Sequence, residues 1–420
     1  MGRIGVARPP MGWNSWDCYG TSVREEEVLA NARHMAQHLA PYGWDTVVID
    51  IDWADPTAKA HGFNPDPPLV MDAWGRLLPD PVRFPSAADG TGFTHLAGAI
   101  HDLGLKFGIH IMRGIPRRAV DADSPVLGTA VGARAIAVPT DRCPWNPDMD
   151  GIDAATPAGQ AYYDSIAALY AEWGIDYLKA DDMLYPYHAA EIDALARAIA
   201  RTGRPMTLSL SPGRDVSLAR LEHLRATADL WRISDDVWDR WEDIEANVAR
   251  FARWAPHASP SGWPDGDMLP LGHIGLRGER GDDRPDRLTP DERRTMMTLW
   301  AIARSPLMVG GDLPTSDPAV LALLAQPDVL ALQARGRDNA ELLREDGVVL
   351  WGARVDDEPV AALFNLGETQ LEYALDLGDA GFGDRAVRDV WSGTVMSPSP
   401  GRPVVTCHVP SHGVVLLRVA

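Results

Sequence analysis

The stretch GQAYYDSIAALYAEWGIDYLKADD, residues 159–182, decides the architecture. Residues 159–174 read as a helix that stops at Gly174, a residue suited to the left-handed turn beyond a helix end. IDYLKADD (175–182) then reads as a short strand that finishes in Lys179, Asp181 and Asp182. The same helix-then-strand unit recurs on both sides. A helix over 24–38 precedes DTVVIDIDW (45–53), and one over 97–104 precedes LKFGIHIM (105–112). Helix 188–202 leads to PMTLSLSPG (205–213), and helix 215–227 to LWRISDD (230–236). Helices over 241–254 and 290–304 follow, the latter before SPLMVGGDL (305–313). With PMGWNSW (10–16) as the first strand and the tryptophan-bearing stretch 257–268 as the seventh, about eight units result. Strands alternating with helices imply a parallel sheet, and eight such units imply a (β/α)8 barrel. No G-x-G-x-x-G follows the first strand, which argues against a dinucleotide-binding sheet.

Beyond residue 335 the pattern changes. GVVLWGARV, EPVAALFNLG, QLEYALDLGD, AVRDVWSGTV and HGVVLLRVA are short strands between Gly, Asp and Pro turns, with no helical pattern among them. They predict a small antiparallel β-sandwich over 336–420, packed tightly against a barrel that occupies 1–330.

The composition narrows the function. Apolar residues make up 45% of the 420 and charged residues 23%, the balance of a folded globular chain. Asp and Glu number 59 against 39 Lys and Arg; the net charge of -20 repels nucleic acid and anionic lipid. Cys18, Cys143 and Cys407 lie far apart and form neither a disulfide framework nor a zinc motif. No apolar run is long enough to span a bilayer, and MGRIGVARPPMGW has no signal-like apolar core, so the expected compartment is the cytoplasm. Trp, at 15, outnumbers Tyr at 9 and Phe at 7. Indole faces serve as core, and they also pack against the C–H faces of sugar rings.

Active sites of such barrels lie at the C-terminal ends of the strands. Those ends carry Trp13, Asn14, Trp16 and Asp17 on the first strand, Asp50 and Asp52 on the second, and His110 and Arg113 on the third. The fourth offers Lys179, Asp181 and Asp182, the fifth Ser209 and Ser211, and the sixth Arg232, Asp235 and Asp236. The seventh adds Asp265 and Asp267. Facing carboxylates suit either a metal site or glycoside hydrolysis by an acid and a nucleophile. Here Lys179, Arg113 and Arg232 stand among them and compete with a metal; they would depress carboxylate pKa values and donate hydrogen bonds to hydroxyls.

MGWNSW, the Ile49-Asp50 pair, G-I-D-Y-L-K-x-D at 174–181, W-R-x-x-x-D at 231–236 and D-x-D-M-L-x-x-G at 265–272 together resemble family 27 of the glycoside hydrolases, which contains α-galactosidases and α-N-acetylgalactosaminidases. Five ordered motifs from residue 8 to 315 make the resemblance specific, and a small C-terminal sandwich fits it. It implies an exo-acting enzyme that retains anomeric configuration, needs no cofactor or metal, and acts on a small oligosaccharide or glycoside. It places the nucleophile at Asp181 and the acid/base at Asp236, with Asp182 and Asp235 as their one-residue competitors. Retention implies carboxyl groups about 5 to 6 Å apart. The resemblance makes Trp16 a wall of the sugar pocket and Asp50 and Lys179 hydroxyl binders. It sets Arg232 near the 2-position, Ser211 beside the 2-substituent and Asp267 at the second Asp of its motif.

Three departures bear on the sugar. Where the family carries two adjacent acids on strand 2 to grip O4 and O6 of galactose, this chain reads Asp50-Ile51-Asp52. Where α-galactosidases have a Glu, it has Ser211, as the N-acetylgalactosaminidases have a small residue. The family cysteines after strands 2 and 4 are missing. The resemblance therefore implies an α-galactosidase-like enzyme, with α-N-acetylgalactosaminidase, β-L-arabinopyranosidase and isomalto-type activities open on the same scaffold. A carbohydrate-binding protein without catalysis and a metal-dependent lyase are the readings from other classes. An insert after strand 3 (115–151) carries Trp145, Asn146 and Asp148 as candidates for a lid or wall, or else serves oligomerisation.

Overall fold

A computed structural model describes residues 6–399 and 401–420. Eight parallel strands form the barrel: β1 (Met11–Asn14), β2 (Thr46–Ile49), β3 (Lys106–Met112), β4 (Tyr177–Asp181), β5 (Thr207–Leu210), β6 (Leu230–Arg232), β7 (Trp263–Asp265) and β8 (Leu307–Val309). Their order, β7-β6-β5-β4-β3-β2-β1-β8, is that of a wound barrel. It closes through Leu269, just past β7, which bridges to Val309. Leu269 N donates to Met308 O at 2.8 Å and Gly310 N donates to Leu269 O at 2.9 Å.

The strands are shorter than the sequence predicts. DTVVIDIDW contributes only Thr46–Ile49 and LWRISDD only Leu230–Arg232. The ladder stops where polar side chains take over the backbone. Asp50 N donates to Ser15 Oγ at 2.9 Å, and Asp52 turns into the left-handed region at φ 66°. Asp182 does the same at φ 59°, one residue past β4, a backbone state that Asp tolerates better than most side chains.

Helices α1 (Glu25–His38), α2 (Thr94–Asp102), α3 (Pro157–Glu172), α4 (Ala189–Thr202), α5 (Leu221–Thr227), α6 (Trp241–Trp254) and α7 (Pro290–Ile302) return the chain between strands. Their starts are written locally: Thr156 caps α3 by accepting from Gly159 N at 3.0 Å, and Thr289 and Glu292 form a capping box on α7, each ahead of a helix-opening proline. Residues 314–335, which the sequence reading leaves without an element, hold α8 (Pro318–Leu324) and α9 (Pro327–Arg335). Among the described residues no helix is long and apolar enough to cross a membrane.

The C-terminal unit is an antiparallel sandwich. Strands β9 (Arg337–Glu345), β10 (Val348–Val355), β11 (Glu358–Asn365), β13 (Val387–Asp389), β14 (Val395–Met396) and β16 (Val414–Val419) form one sheet, and β12 (Leu371–Asp376) and β15 (Val404–Val409) pair as the other. The period of two divides the large sheet between two cores. Val348, Leu350, Ala361, Leu363, Val415 and Leu417 fill the sandwich. Their neighbours Val349, Trp351, Ala362, Phe364 and Leu416 belong to the core of the barrel helices. Burial on both faces is why VVLW reads as an unbroken apolar run. Asp328 on α9 adds bonds to Arg388 (2.9 Å) and Arg418 (2.7 Å), and His412 stacks on Trp241 at 4.1 Å.

The insert after β3 folds as a three-stranded antiparallel sheet, Ile115–Pro116, Met149–Ile152 and Ala137–Arg142, with a helix over Arg117–Ala122. It sets Asp148 against the loop that follows β2. Burial, with Asp148 and Asp55 adding repulsion, pushes the Asp52 carboxyl up to about 8.

Two expectations follow. Trp351→Ala removes a buried ring shared by barrel and sandwich and is expected to cost about 3–5 kcal/mol in chemical denaturation; intact stability would show that the sheet face does not hold the units together. The second concerns pH. An unfolded aspartate releases its proton near pH 4, whereas folded Asp52 keeps it to about pH 8, so stability falls as pH rises across that interval. Asp52→Asn should match the wild-type melting temperature near pH 4 and gain on it steadily toward pH 8; a difference constant with pH would remove Asp52 from that role.

Candidate active site

The barrel register brings the strand-end residues into layers. His110 pairs with Lys179, Lys179 with Ser209, and Met112 with Asp181 across β3, β4 and β5. At the centre Lys179 Nζ donates to Asp50 Oδ2 at 2.7 Å, and Asn14 Nδ2 donates to the same oxygen at 2.8 Å. Asp50 Oδ1 accepts from Ile51 N at 2.9 Å. Burial alone would raise the Asp50 pKa, but the charges of Lys179 and His110 and the hydrogen bonds from Lys179 and Ile51 N outweigh it and hold the carboxyl below its ordinary value.

Asp181 is treated in the same way. Burial opposes its charge, yet His110 Nε2 lies 3.2 Å from Asp181 Oδ2, Lys179 adds a nearby positive charge, and Asp182 N donates to Asp181 Oδ1 at 2.8 Å. The carboxyl is held well below the usual range and stays ionised. Asp182, one residue on, is carried elsewhere by its left-handed backbone. Its Oδ2 accepts from Arg113 Nη2 at 2.8 Å, and Arg113 also reaches Glu191 (2.6 Å) and Asp141 (3.1 Å). Arg113 is thereby spent on a buried network under the insert. Asp141, His188 and Glu191 lie close enough together to resemble a metal site, but the Arg113 guanidinium already bonds both carboxylates.

On β6, Arg232 donates from Nη2 to Asp236 Oδ1 at 3.0 Å and pairs through Nη1 with Asp267 Oδ1 at 2.9 Å. Asp235 points outward to Arg214 at 2.8 Å. Asp267 also accepts from Val237 N at 2.8 Å. Burial first, then repulsion from Asp236, push it up to about 6. Gly213 is forced here: a Cβ would lie 1.6 Å from Arg232 O. Ser211 is buried, and its Oγ has no hydrogen-bond partner among the described residues. Trp16 lies with Ile51, Met112, Cys143, Met149 and Trp238 in an apolar cluster at the barrel mouth, Cys143 and Met149 coming from the insert.

All eight residues singled out from the sequence therefore stand at one barrel end. Asp181, Lys179 and Asp50 form one hydrogen-bonded and charged group, Asp236, Arg232 and Asp267 a second, with Trp16 in the apolar wall and Ser211 beyond β5. His110, which the sequence places at the end of the third strand but outside these eight, joins the first group through Asp181. Asp17, which the sequence places at the end of the first strand without a role, is buried, its Oδ2 has no partner among the described residues, and its pKa is raised by burial and by Asp267 and Asp236. Phe63, which packs against Trp16, carries no sequence signal. Buried carboxyls with opposite shifts in one cleft mark a site able to hold one acid ionised and keep others protonated, as acid/base chemistry requires.

Comparison with known proteins agrees with this arrangement. A family model described as "Alpha galactosidase A" matches residues 150–335, and one described as "Alpha galactosidase C-terminal beta sandwich domain" matches 345–419. The chain is 24% identical to an α-galactosidase of Cyamopsis tetragonoloba, covering 96% of this chain and 84% of the relative. It is 29% identical to an α-N-acetylgalactosaminidase of Rattus norvegicus, with 78% and 70% covered. Among solved structures, a family 27 β-L-arabinopyranosidase of Geobacillus stearothermophilus in complex with arabinose is 45% identical, with a TM-score of 0.95 over 99% of this chain and 97% of that one. The resemblance read from five motifs is borne out over the full length, and the chain belongs to family 27 of the glycoside hydrolases, the α-galactosidase family.

Proposed function

We propose that the protein is an exo-acting, retaining glycosidase whose preferred sugar has the galactose arrangement of ring hydroxyls but no hydroxymethyl group at C5, that is, a β-L-arabinopyranoside. The observation that carries the sugar is Ile51. It is buried in the apolar wall with Trp16 and Met112, directly after Asp50, where the resemblance leads to an acid that grips O4 and O6. An apolar side chain leaves a C6 hydroxyl without a partner and suits a bare C5 methylene. The 45% identical β-L-arabinopyranosidase supports the same reading.

In this mechanism the ionised Asp181 carboxylate attacks the anomeric carbon while Asp236 gives its proton to the departing glycosidic oxygen. A glycosyl ester to Asp181 results. Asp236 then takes a proton from water, the water oxygen attacks the same carbon, and Asp181 is released with configuration retained. Lys179 and Asp50 are the hydroxyl binders; Arg232, held by Asp267, keeps Asp236 oriented. Ser211, small and with a free buried hydroxyl, favours one further reading, an α-N-acetylgalactosaminide with room at the 2-position.

The test is hydrolysis of 4-nitrophenyl β-L-arabinopyranoside, α-D-galactopyranoside and α-N-acetylgalactosaminide. The arabinoside should lead in kcat/KM by tenfold or more, and Ile51→Asp should shift the ratio toward the galactoside by roughly tenfold or more. A wild-type preference for either six-carbon sugar would overturn the assignment of the sugar while leaving the reaction class. Asp181→Ala should lose about a thousandfold or more in kcat. Proton NMR of the first-formed product should show the anomer of the substrate; the opposite anomer would remove Asp181 as nucleophile.

A further inference from the structure

Three aromatic rings from three different loops form a row that leaves the sugar pocket. Trp16, after β1, is buried at 8% exposure. Phe63, in the loop after β2, lies against it at 5.7 Å between ring centroids. Trp145, in the insert after β3, lies against Phe63 at 6.0 Å and is 42% exposed. A large indole left open to water on a barrel-mouth insert is unusual, because aromatic side chains ordinarily bury their area.

The row is fixed in place. Thr21 Oγ1 donates to Lys59 O at 3.0 Å and to Gly62 O at 3.3 Å, and His61 Nδ1 lies 2.8 Å from Gly278 O. Asn64 bonds Thr57 across the same loop, and Arg117 of the insert pairs with Asp66 at 2.5 Å. The Phe63 loop is thus tied to the barrel on one side and to the insert on the other. The residues flanking Trp145 are anchored as well, since Cys143 and Met149 sit in the apolar wall beside Ile51.

We infer that Trp145, supported by Phe63, is the binding platform for the leaving part of the substrate, and that this part presents a ring with an apolar face, an aryl group or a pyranose. The inference rests on the glycosidase reading above but not on which sugar is cleaved. The row is continuous with Trp16, so a ring on Trp145 occupies the position next outward from the bound sugar. An exo-acting enzyme closes one end of its pocket; the other end must open toward the aglycone, and the only exposed ring of the row lies there.

The test separates leaving-group binding from chemistry. Wild type, Trp145→Ala and Trp145→Phe are assayed on β-L-arabinopyranosyl and α-D-galactosyl fluoride, whose leaving group has no ring. They are then assayed on the 4-nitrophenyl glycoside and on a disaccharide of whichever sugar wild type accepts. Trp145→Ala should lower kcat/KM on the ring-bearing substrates by about tenfold and leave the fluoride within about twofold, with Trp145→Phe recovering most of the loss. Loss on the aryl glycoside alone identifies an aryl aglycone, and loss on the disaccharide a pyranose. Equal losses on fluoride and ring-bearing substrates would reduce Trp145 to a structural residue, and unchanged rates on all of them would abolish the platform. Wild type that hydrolyses neither fluoride nor 4-nitrophenyl α-N-acetylgalactosaminide would refute the glycosidase reading itself, a failure visible before any variant is made.

Discussion

The site is organised around one ammonium group. Lys179 Nζ lies 2.7 Å from Asp50, and where burial would otherwise neutralise Asp181, the His110 hydrogen bond and charge, joined by the Lys179 charge, keep it ionised. The cluster joins β1 through Asn14, β2 through Asp50, β3 through His110 and β4 through Lys179 and Asp181. A buried ion pair of this kind adds little to stability compared with an apolar replacement, while removing one partner leaves a costly unpaired charge. Its value is functional: it fixes which carboxyl is charged. Two cations, Lys179 and Arg232, face six carboxyls, those of Asp17, Asp50, Asp181, Asp236, Asp265 and Asp267. Of these, Asp17, Asp265 and Asp267 are the ones burial pushes upward.

Chemistry and selectivity are divided between strands and loops. The ionisable groups stand on or just past barrel strands, where backbone ladders position them. The apolar wall is assembled from elements far apart in the chain: Trp16 after β1, Ile51 and Phe63 after β2, Cys143 and Met149 from the insert, and Trp238 after β6. The insert is braced from below by Arg113, which binds Asp141 of the insert, Asp182 beside Asp181, and Glu191 on α4.

Much was legible in the sequence because it was local. The alternation of helix and strand, the prolines and caps that open α3 and α7, and the period-two runs of the sandwich each depend on residues a few positions apart. The strand-end acids were legible for the same reason: a polar residue closing an apolar strand has no packing purpose. The resemblance implies which Asp is which, an assignment that spacing alone leaves open to one residue. In the fold these neighbours differ in orientation: Asp182 turns left-handed toward Arg113, and Asp235 pairs outward with Arg214.

The barrel, the sandwich and the family of chemistry are thus legible from the chain alone, since they follow from short-range periodicity and from motifs that carry their own spacing. Only the tertiary structure decided that His110 bonds Asp181, that Asp52 and Asp148 meet across more than ninety residues of chain, and that Phe63 and Trp145 extend the wall begun by Trp16. Those contacts join loops whose lengths and compositions say nothing about where their tips arrive; closure of the barrel and anchoring of the insert bring them together.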